Sequence, residues 1–202
     1  MRKLVIFGAG GHAKVVADIA LKNGFEIEGF LDDNDSLSSV MGYPVLGKIE
    51  DCVKFKDACA FAMGIGNNAV RKRFFEKYAD FDYPVLIHPA ASVGVETKIG
   101  KGTVIMPMAV VNACAEIGEF SVVNSAAVVE HDCRVGDFCL IAPNATICGT
   151  VTVGSMAWLG AGCIINQTVK ICDGVTVGSG AVVTKDITAS GTYVGVPVTK
   201  IK

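Results

Sequence analysis

Charge is scarce in this sequence and unevenly placed. Of 202 residues, 19% are charged, and the 32 residues from Phe138 to Val169 contain no Asp, Glu, Lys, Arg or His. A membrane-spanning helix needs about 20 mostly apolar residues, so this run and a mean hydropathy of +0.47 raise a transmembrane reading first. The make-up of the run argues against it. Pro143, Asn144, Gly149, Gly154, Gly160, Gly162, Asn166 and Gln167 interrupt it, and it is rich in Val, Ile, Thr and Gly rather than Leu and Phe. Buried β-structure is the better expectation.

Other absences narrow the function. A net charge of −2 leaves no polybasic surface for nucleic acid. Extended aromatic stacking is also unexpected, because 11 of the 15 aromatic residues fall within residues 1–83. No Cys-x-x-Cys pair occurs among the eight cysteines, which removes the usual zinc and redox spacings. The apolar run after Met1-Arg2-Lys3 lacks an Ala-x-Ala-like cleavage site and leads into a Gly-rich turn, so it reads as a strand rather than a signal peptide. The expected location is therefore cytoplasmic.

What is present changes character near Tyr83–Pro84. Residues 1–83 hold 23 of the 38 charged residues, and the remaining 119 residues hold 15. Only the second part has a period. Steps of six from Ile87 through Val93, Ile99, Ile105 and onward to Val183 meet Ile, Val or Leu at all 17 positions. A second column two residues earlier, from Val85 to Ala181, contains only small or β-branched residues. The residue after the aliphatic is often Gly or Asn, which tolerate the positive φ that a sharp corner requires.

A strict six-residue repeat predicts a β-solenoid, since a helix of period 3.6 would scatter such a stripe around its surface. Three hexads close one triangular coil with a short parallel strand on each side, and both columns point inward. Seventeen hexads make between five and six coils, a prism roughly 27 Å tall at strand spacing. Cys133, Cys139 and Cys163 fall in the small inward column, where a thiol is a small apolar filler.

The first part reads as a nucleotide-type β-α-β unit. Lys3–Phe7 is a strand, Gly8-Ala9-Gly10-Gly11-His12-Ala13 a turn, and Lys14–Lys22 a helix with Val15, Val16 and Ile19 on one face. Glu26–Leu31 is a second strand ending at Asp32-Asp33. Ala58–Ile65 is a third, followed by Gly66-Asn67-Asn68 and a helix through Arg71–Tyr78. Gly8-x-Gly10-x-x-Ala13, with Asp32 about 20 residues on, matches the dinucleotide fingerprint. About 80 residues supply only one half of such a fold, which favours a nucleotide-linked substrate over a redox cofactor. Glycine amides at a helix N-terminus suit phosphate, and an acid at a strand end suits ribose. A turn that uses glycine only for packing remains open.

The repeat [Ile/Leu/Val]-Gly-x4 resembles that of the left-handed β-helix acyltransferases. Adding FGAGGHAKVV, FLDD, GIGNN-x-x-RK, VVNSAAVVEHDCRVGDF and GVPVTKIK narrows the resemblance. The sequence is similar to the bacterial sugar acyltransferases that include UDP-4-amino-sugar N-acetyltransferases and sialic acid O-acetyltransferases. The resemblance implies a Rossmann-like nucleotide-sugar-binding domain at 1–83, a left-handed β-helix acyltransferase domain at 84–188 and a C-terminal tail at 189–202. It also implies acetyl-CoA as acyl donor, a homotrimer with the donor in the groove between protomers, and no metal.

The same resemblance suggests Gly10, Gly11, His12, Asp32, Asp33 and Asn124 as substrate contacts, and Leu140, Ala161 and Ser179 as contacts to coenzyme A. Leu140 departs from the pattern, because several relatives carry a second His there. His131, just past an inward aliphatic and flanked by Glu130 and Asp132, is the expected general base, with Asp132 orienting it. Adjacent residues on a regular strand point to opposite faces, so this pair can cooperate only at a corner. The expected activity is N-acetylation of a UDP-linked amino sugar in bacterial glycan synthesis.

Three alternatives stand beside that expectation: O-acetylation of a sialic-acid-type sugar, a non-catalytic nucleotide-binding module trimerised by a solenoid, and a γ-type carbonic anhydrase. The last needs three His on zinc, and only His88 and His131 lie in the repeat region. His88 reads as a linker residue and Trp158 as an interface aromatic.

Overall fold

The computed structural model describes residues 2–202, which divide into two compact units, the first ending at Pro89 and the second running Ala90–Lys202. In the first unit the elements are β1 (Arg2–Phe7), α1 (Gly11–Lys22), β2 (Phe25–Leu31), β3 (Ser39–Val40), β4 (Tyr43–Gly47), β5 (Ala60–Met63) and α2 (Asn68–Lys77), with a 3-10 turn at Ile49–Lys54. The strands lie in the order β3-β4-β2-β1-β5, and β1 is parallel to both β2 and β5. A strand flanked on both edges and covered by helices must be apolar throughout, and Leu4 to Phe7 are completely buried.

Helix α1 buries Ala13, Val16, Ala17, Ile19 and Ala20. Val15, expected on that face, is only half-buried. The small residues allow a close approach to the sheet: a Cβ on Gly64 would stand 2.6 Å from that of Ala13. The third expected strand is shorter than its apolar run, Ala60–Met63 instead of 58–65. The antiparallel β3–β4 hairpin turns through Met41 at φ +52 and Gly42 at φ +82. Both turn residues adopt the positive φ of a tight hairpin, and Met at the first of them gives no sequence signal.

The second unit is a β-solenoid. Its three faces are stacks of parallel two-residue strands whose pairing partners are 18 residues apart, as in Val110↔Val128 and Val128↔Thr146. The first face carries Ser92–Val93, Val110–Val111, Val128–Val129, Thr146–Ile147, Ile164–Ile165 and Val182–Val183. The second carries Lys98–Ile99, Glu116–Ile117, Arg134–Val135, Thr152–Val153 and Lys170–Ile171. The third includes Val104–Ile105, Val122–Val123, Leu140–Ile141, Trp158–Leu159 and Val175–Val177. Residues 189–202 lengthen this face: Gly191–Val194 pairs with Val175–Val177, and Thr199–Lys200 returns antiparallel beside it.

From Ile105 onward every member of the aliphatic column is buried, and from Thr103 onward so is every member of the small column. Val93 is 38% exposed, because it pairs with Val111 above and has no strand of the unit below it. Cys133, Cys139 and Cys163 are fully buried, and all eight cysteines are free thiols. Burial pushes the Cys163 thiol up to about 12, so it stays protonated.

The corners differ from expectation in an informative way. Positive φ is found three residues after the aliphatic, at Met108, Cys114, Phe120, Ala126, Asp132, Phe138, Asn144, Thr150 and Met156 among others. The glycine immediately after the aliphatic serves another purpose. A Cβ on Gly136 would lie 2.6 Å from the Ser155 amide nitrogen, and one on Gly160 would lie 2.6 Å from that of Ser179. These glycines let one coil descend onto the next.

Candidate functional site

His131 occupies the corner that follows the first face, one residue beyond Glu130. The next residue, Asp132, has φ +59, and this turn swings its carboxylate beside its neighbour's ring. His131 Nδ1 and Asp132 Oδ2 are 2.8 Å apart, and both side chains are exposed. A carboxylate holding Nδ1–H fixes the tautomer in which Nε2 has the free lone pair, the arrangement a general base needs. The corner hence supplies the geometry that a regular strand forbids to adjacent residues. Its backbone is anchored to both adjacent coils: the Asp132 amide donates to Ala113 O at 3.2 Å, and the Thr150 amide to His131 O at 3.0 Å. Glu130 accepts from Asn112 Nδ2 at 2.8 Å.

Asn124, Ala161 and Ser179 lie on a different corner, the one that follows the third face. Ala161 and Ser179 sit 18 residues apart on adjacent coils, linked by the Gly180 amide donating to Ala161 O at 2.8 Å. Both are exposed, and a Cβ on neighbouring Gly162 or Gly180 would meet nothing within 4 Å. The result is an open ledge of small residues along the prism, suited to an extended chain such as a pantetheine arm. Asn124 Oδ1 accepts from the Ser125 amide at 2.8 Å. Leu140 lies on the third face between Val122 and Trp158 and is buried. A single chain thus keeps the imidazole and the ledge on separate corners. A shallow concavity of about 510 Å³ on the second face, lined by Lys98, Glu116 and Arg134, includes neither.

In the first unit, Gly8 (φ +88) turns the chain so that the Ala9 amide donates to Asp32 Oδ2 at 2.7 Å. Asp32 Oδ1 accepts from Asn34 and Asp33 Oδ1 from Ile49. Gly10 is the N-cap of α1 with no side-chain cap bond, which leaves the first-turn amides of the helix available. Gly10 and Gly11 are exposed, and a Cβ on either would meet nothing within 4 Å. His12 Nε2 is buried without a hydrogen-bond partner. Burial, reinforced by the Arg71 charge, lowers its pKa to about 4, so the ring is neutral.

Arg71 is buried and its guanidinium donates to Ile65 O at 3.1 Å, Gly66 O at 2.7 Å and Asn68 Oδ1 at 2.9 Å. It thereby holds the loop after β5 across from His12, a role the sequence reading did not assign to it. Only its place in GIGNN-x-x-RK hinted at one. Among the described residues, no group of three or more His, Cys, Asp or Glu is placed to hold a metal ion. Among the same residues, no helix is long and apolar enough to cross a membrane.

Residues 3–78 match the model of the PglD N-terminal domain, and residues 150–185 match that of the bacterial transferase hexapeptide (six repeats). The acetyltransferase domain of PglB from Neisseria gonorrhoeae is 38% identical, with 100% of each chain covered and a TM-score of 0.95. That domain has also been solved with acetyl coenzyme A. PerB from Caulobacter crescentus, solved with CoA and GDP-perosamine, is 32% identical over 100% of this chain and 98% of that one, with a TM-score of 0.95. Among curated proteins, UDP-N-acetylbacillosamine N-acetyltransferase of Bacillus subtilis is 32% identical over 114 residues, 52% of either chain. An uncharacterized protein of Acanthamoeba polyphaga mimivirus is 34% identical over 97 residues, 48% of this chain and 20% of that protein. The matches therefore span about half or less of these curated relatives. A β-α-β unit followed by a stacked hexapeptide prism, shared end to end with the Neisseria domain, places the chain in the left-handed β-helix family of hexapeptide-repeat sugar acyltransferases.

Proposed function

We propose that the protein is an acetyl-CoA-dependent N-acetyltransferase acting on a nucleotide-linked (UDP) amino sugar in bacterial glycan synthesis, with His131 as general base. The observation that carries this reading is the His131–Asp132 pair, 2.8 Å apart on a positive-φ corner. Asp132 holds Nδ1, and Nε2 removes the proton from the sugar amine as its nitrogen attacks the thioester carbonyl carbon. The C–N bond forms, the C–S bond breaks, and the thiolate leaves. Backbone N–H groups stabilise the oxyanion between the two events.

In this reading residues 1–83 hold the nucleotide sugar through Gly10, Gly11, His12, Asp32 and Asp33. Residues 84–188 carry the transfer chemistry, and 189–202 form a tail. Asn124 faces the sugar, and Leu140, Ala161 and Ser179 meet coenzyme A. The imidazole and the small-residue ledge stand on different corners of one prism. A cytoplasmic homotrimer, in which one protomer's imidazole faces its neighbour's ledge, completes the site.

The test is acetyl-CoA consumption against UDP-, GDP- and CMP-linked amino sugars, with wild-type protein and His131→Ala. Turnover with a UDP-linked amine, lowered about 10²–10⁴-fold in the variant, supports the proposal. Undiminished turnover in His131→Ala would refute the base, and transfer to a sugar hydroxyl would move the assignment to O-acetylation.

A further inference from the structure

We infer that Gly149 positions the imidazole of His131, the missing Cβ being the space in which the ring lies. This rests on the reading of His131 as the base. An ideal Cβ on Gly149 would stand 2.7 Å from His131 Nε2, 2.8 Å from Cε1 and 3.5 Å from Cδ2. The first two separations are closer than any methyl carbon stands to a ring atom.

Nothing else in the structure asks for glycine at this position. Gly149 is absent from the residues with positive φ, and the added Cβ would meet no backbone among its three nearest atoms. Here it differs from Gly94, Gly136 or Gly160, where the obstruction is main chain of the coil above. The repeat supplies an internal control. Steps of 18 along this corner give Val95, Ala113, His131, Gly149 and Gln167. The position accepts side chains of several sizes and is left bare only on the coil directly after the histidine.

The surroundings make the ring, not the chain, the part that would yield. The amides of Cys148, Thr150 and Thr168 form rungs to Ile165 O, His131 O and Gly149 O, all at 3.0 Å. The backbone on either side of Gly149 is therefore pinned to the coil before and the coil after. The imidazole is held only by Asp132 and is exposed on its other side. A methyl group at residue 149 tips the ring outward, lengthens the Nδ1–Oδ2 contact and displaces Nε2, while the fold stays intact.

The experiment compares wild type, Gly149→Ala, His131→Ala and the double variant in steady-state acetyl transfer from acetyl-CoA to a UDP-linked 4-amino sugar. Thermal melts and ¹⁵N imidazole spectra of histidine-labelled protein accompany the kinetics. For Gly149→Ala, kcat should fall on the order of 10²-fold, the effect of a misplacement near 1 Å, with both KM values little changed. Its His131 spectrum should shift from a dominant Nδ1–H tautomer to a mixture, and its Tm should stay at the wild-type value. In the His131→Ala background the same substitution should have no further effect.

Wild-type kcat and an unchanged imidazole spectrum in Gly149→Ala would overturn the inference. A lowered kcat with unaltered His131 signals would overturn it as well, and so would a large fall in Tm, which would show that the backbone yields instead. Full activity in His131→Ala removes the base itself and leaves the spectral shift to decide the packing claim alone.

Discussion

The two units reach a buried core by opposite routes. In Met1–Pro89 each core residue has its own surroundings: Phe7 stacks on Phe61, Phe74 and Tyr78, with ring centroids 5.4, 6.2 and 6.0 Å away. In Ala90–Lys202 one environment is repeated, and a core residue meets near-copies of itself above and below, as Val123 does with Ile105 and Ile141. A repeated environment tolerates exchange among Ile, Val and Leu but fixes the spacing absolutely. A singular one depends on the shape of each side chain, yet the chain between its elements can vary. Function follows the same division: the first unit offers a helix N-terminus and a neutral buried His12, whereas the second offers corners at which exposed side chains stand in fixed register.

Several substitutions would break or sharpen this contrast. The largest effect is expected from Ile141→Ala, which removes a fully buried side chain from the stack and should cost about 2–5 kcal/mol in chemical denaturation. Ile6→Ala, equally buried in the first unit, should fall in the same range. The contrast lies in amide hydrogen exchange: protection should be lost mainly in the coils around residue 141, because stacked repeats stabilise only their neighbours. Uniform loss through the solenoid would contradict that.

A second difference is pH-dependent. His12 binds its proton at about 4 when folded against 6.5 unfolded, so the unfolded chain takes up more protons between those values. Folding stability contributed by His12 is present above pH 6.5 and is lost as pH falls toward 4, at most about 3 kcal/mol. His12→Gln should flatten the melting curve against pH in that window. An unaltered slope would mean that the ring is not desolvated.

Glycines sharpen the comparison further. Gly136→Ala drives a Cβ against backbone of the next coil and should cost about 1–3 kcal/mol, whereas Gly10→Ala meets open space and should cost less than about 1 kcal/mol, the preference for Gly over Ala at an N-cap. The smallest effect belongs to the second face. Glu116→Gln breaks exposed pairings with Lys98 at 2.8 Å and Arg134 at 3.9 Å, and no change in Tm is expected because such surface pairs are weak.

The solenoid was legible because its period is a property of the sequence itself: a column of Ile, Val and Leu needs no knowledge of what covers it. The His131–Asp132 pair was legible only as adjacency, since the positive φ that makes the two converge recurs at this corner position whatever the residue type, from Met108 and Phe120 to Asp132, and so leaves no mark in the sequence. Gly149 passed as one more glycine in an apolar run, because its meaning appears only when residue 131 is placed beneath it. The β3–β4 hairpin escaped for a related reason, with Met41 at its left-handed position. Arg71 and the orphaned His12 nitrogen depend on tertiary burial, which no local pattern announces. Ala161 and Ser179 are small and carry no chemical signature of their own, so only the family resemblance singled them out.

The 18-residue interval between paired strands gives every residue of the prism an address made of a storey and a corner. Losing one residue anywhere in a coil would turn every later side chain inside out. Losing six would keep the aliphatic column inside yet carry each later residue to the wrong corner, and only the loss of a whole coil leaves all storeys aligned. The protein can thus change height only by whole storeys, and none can be inserted between His131 and Gly149 without parting the imidazole from the bare position against which it lies.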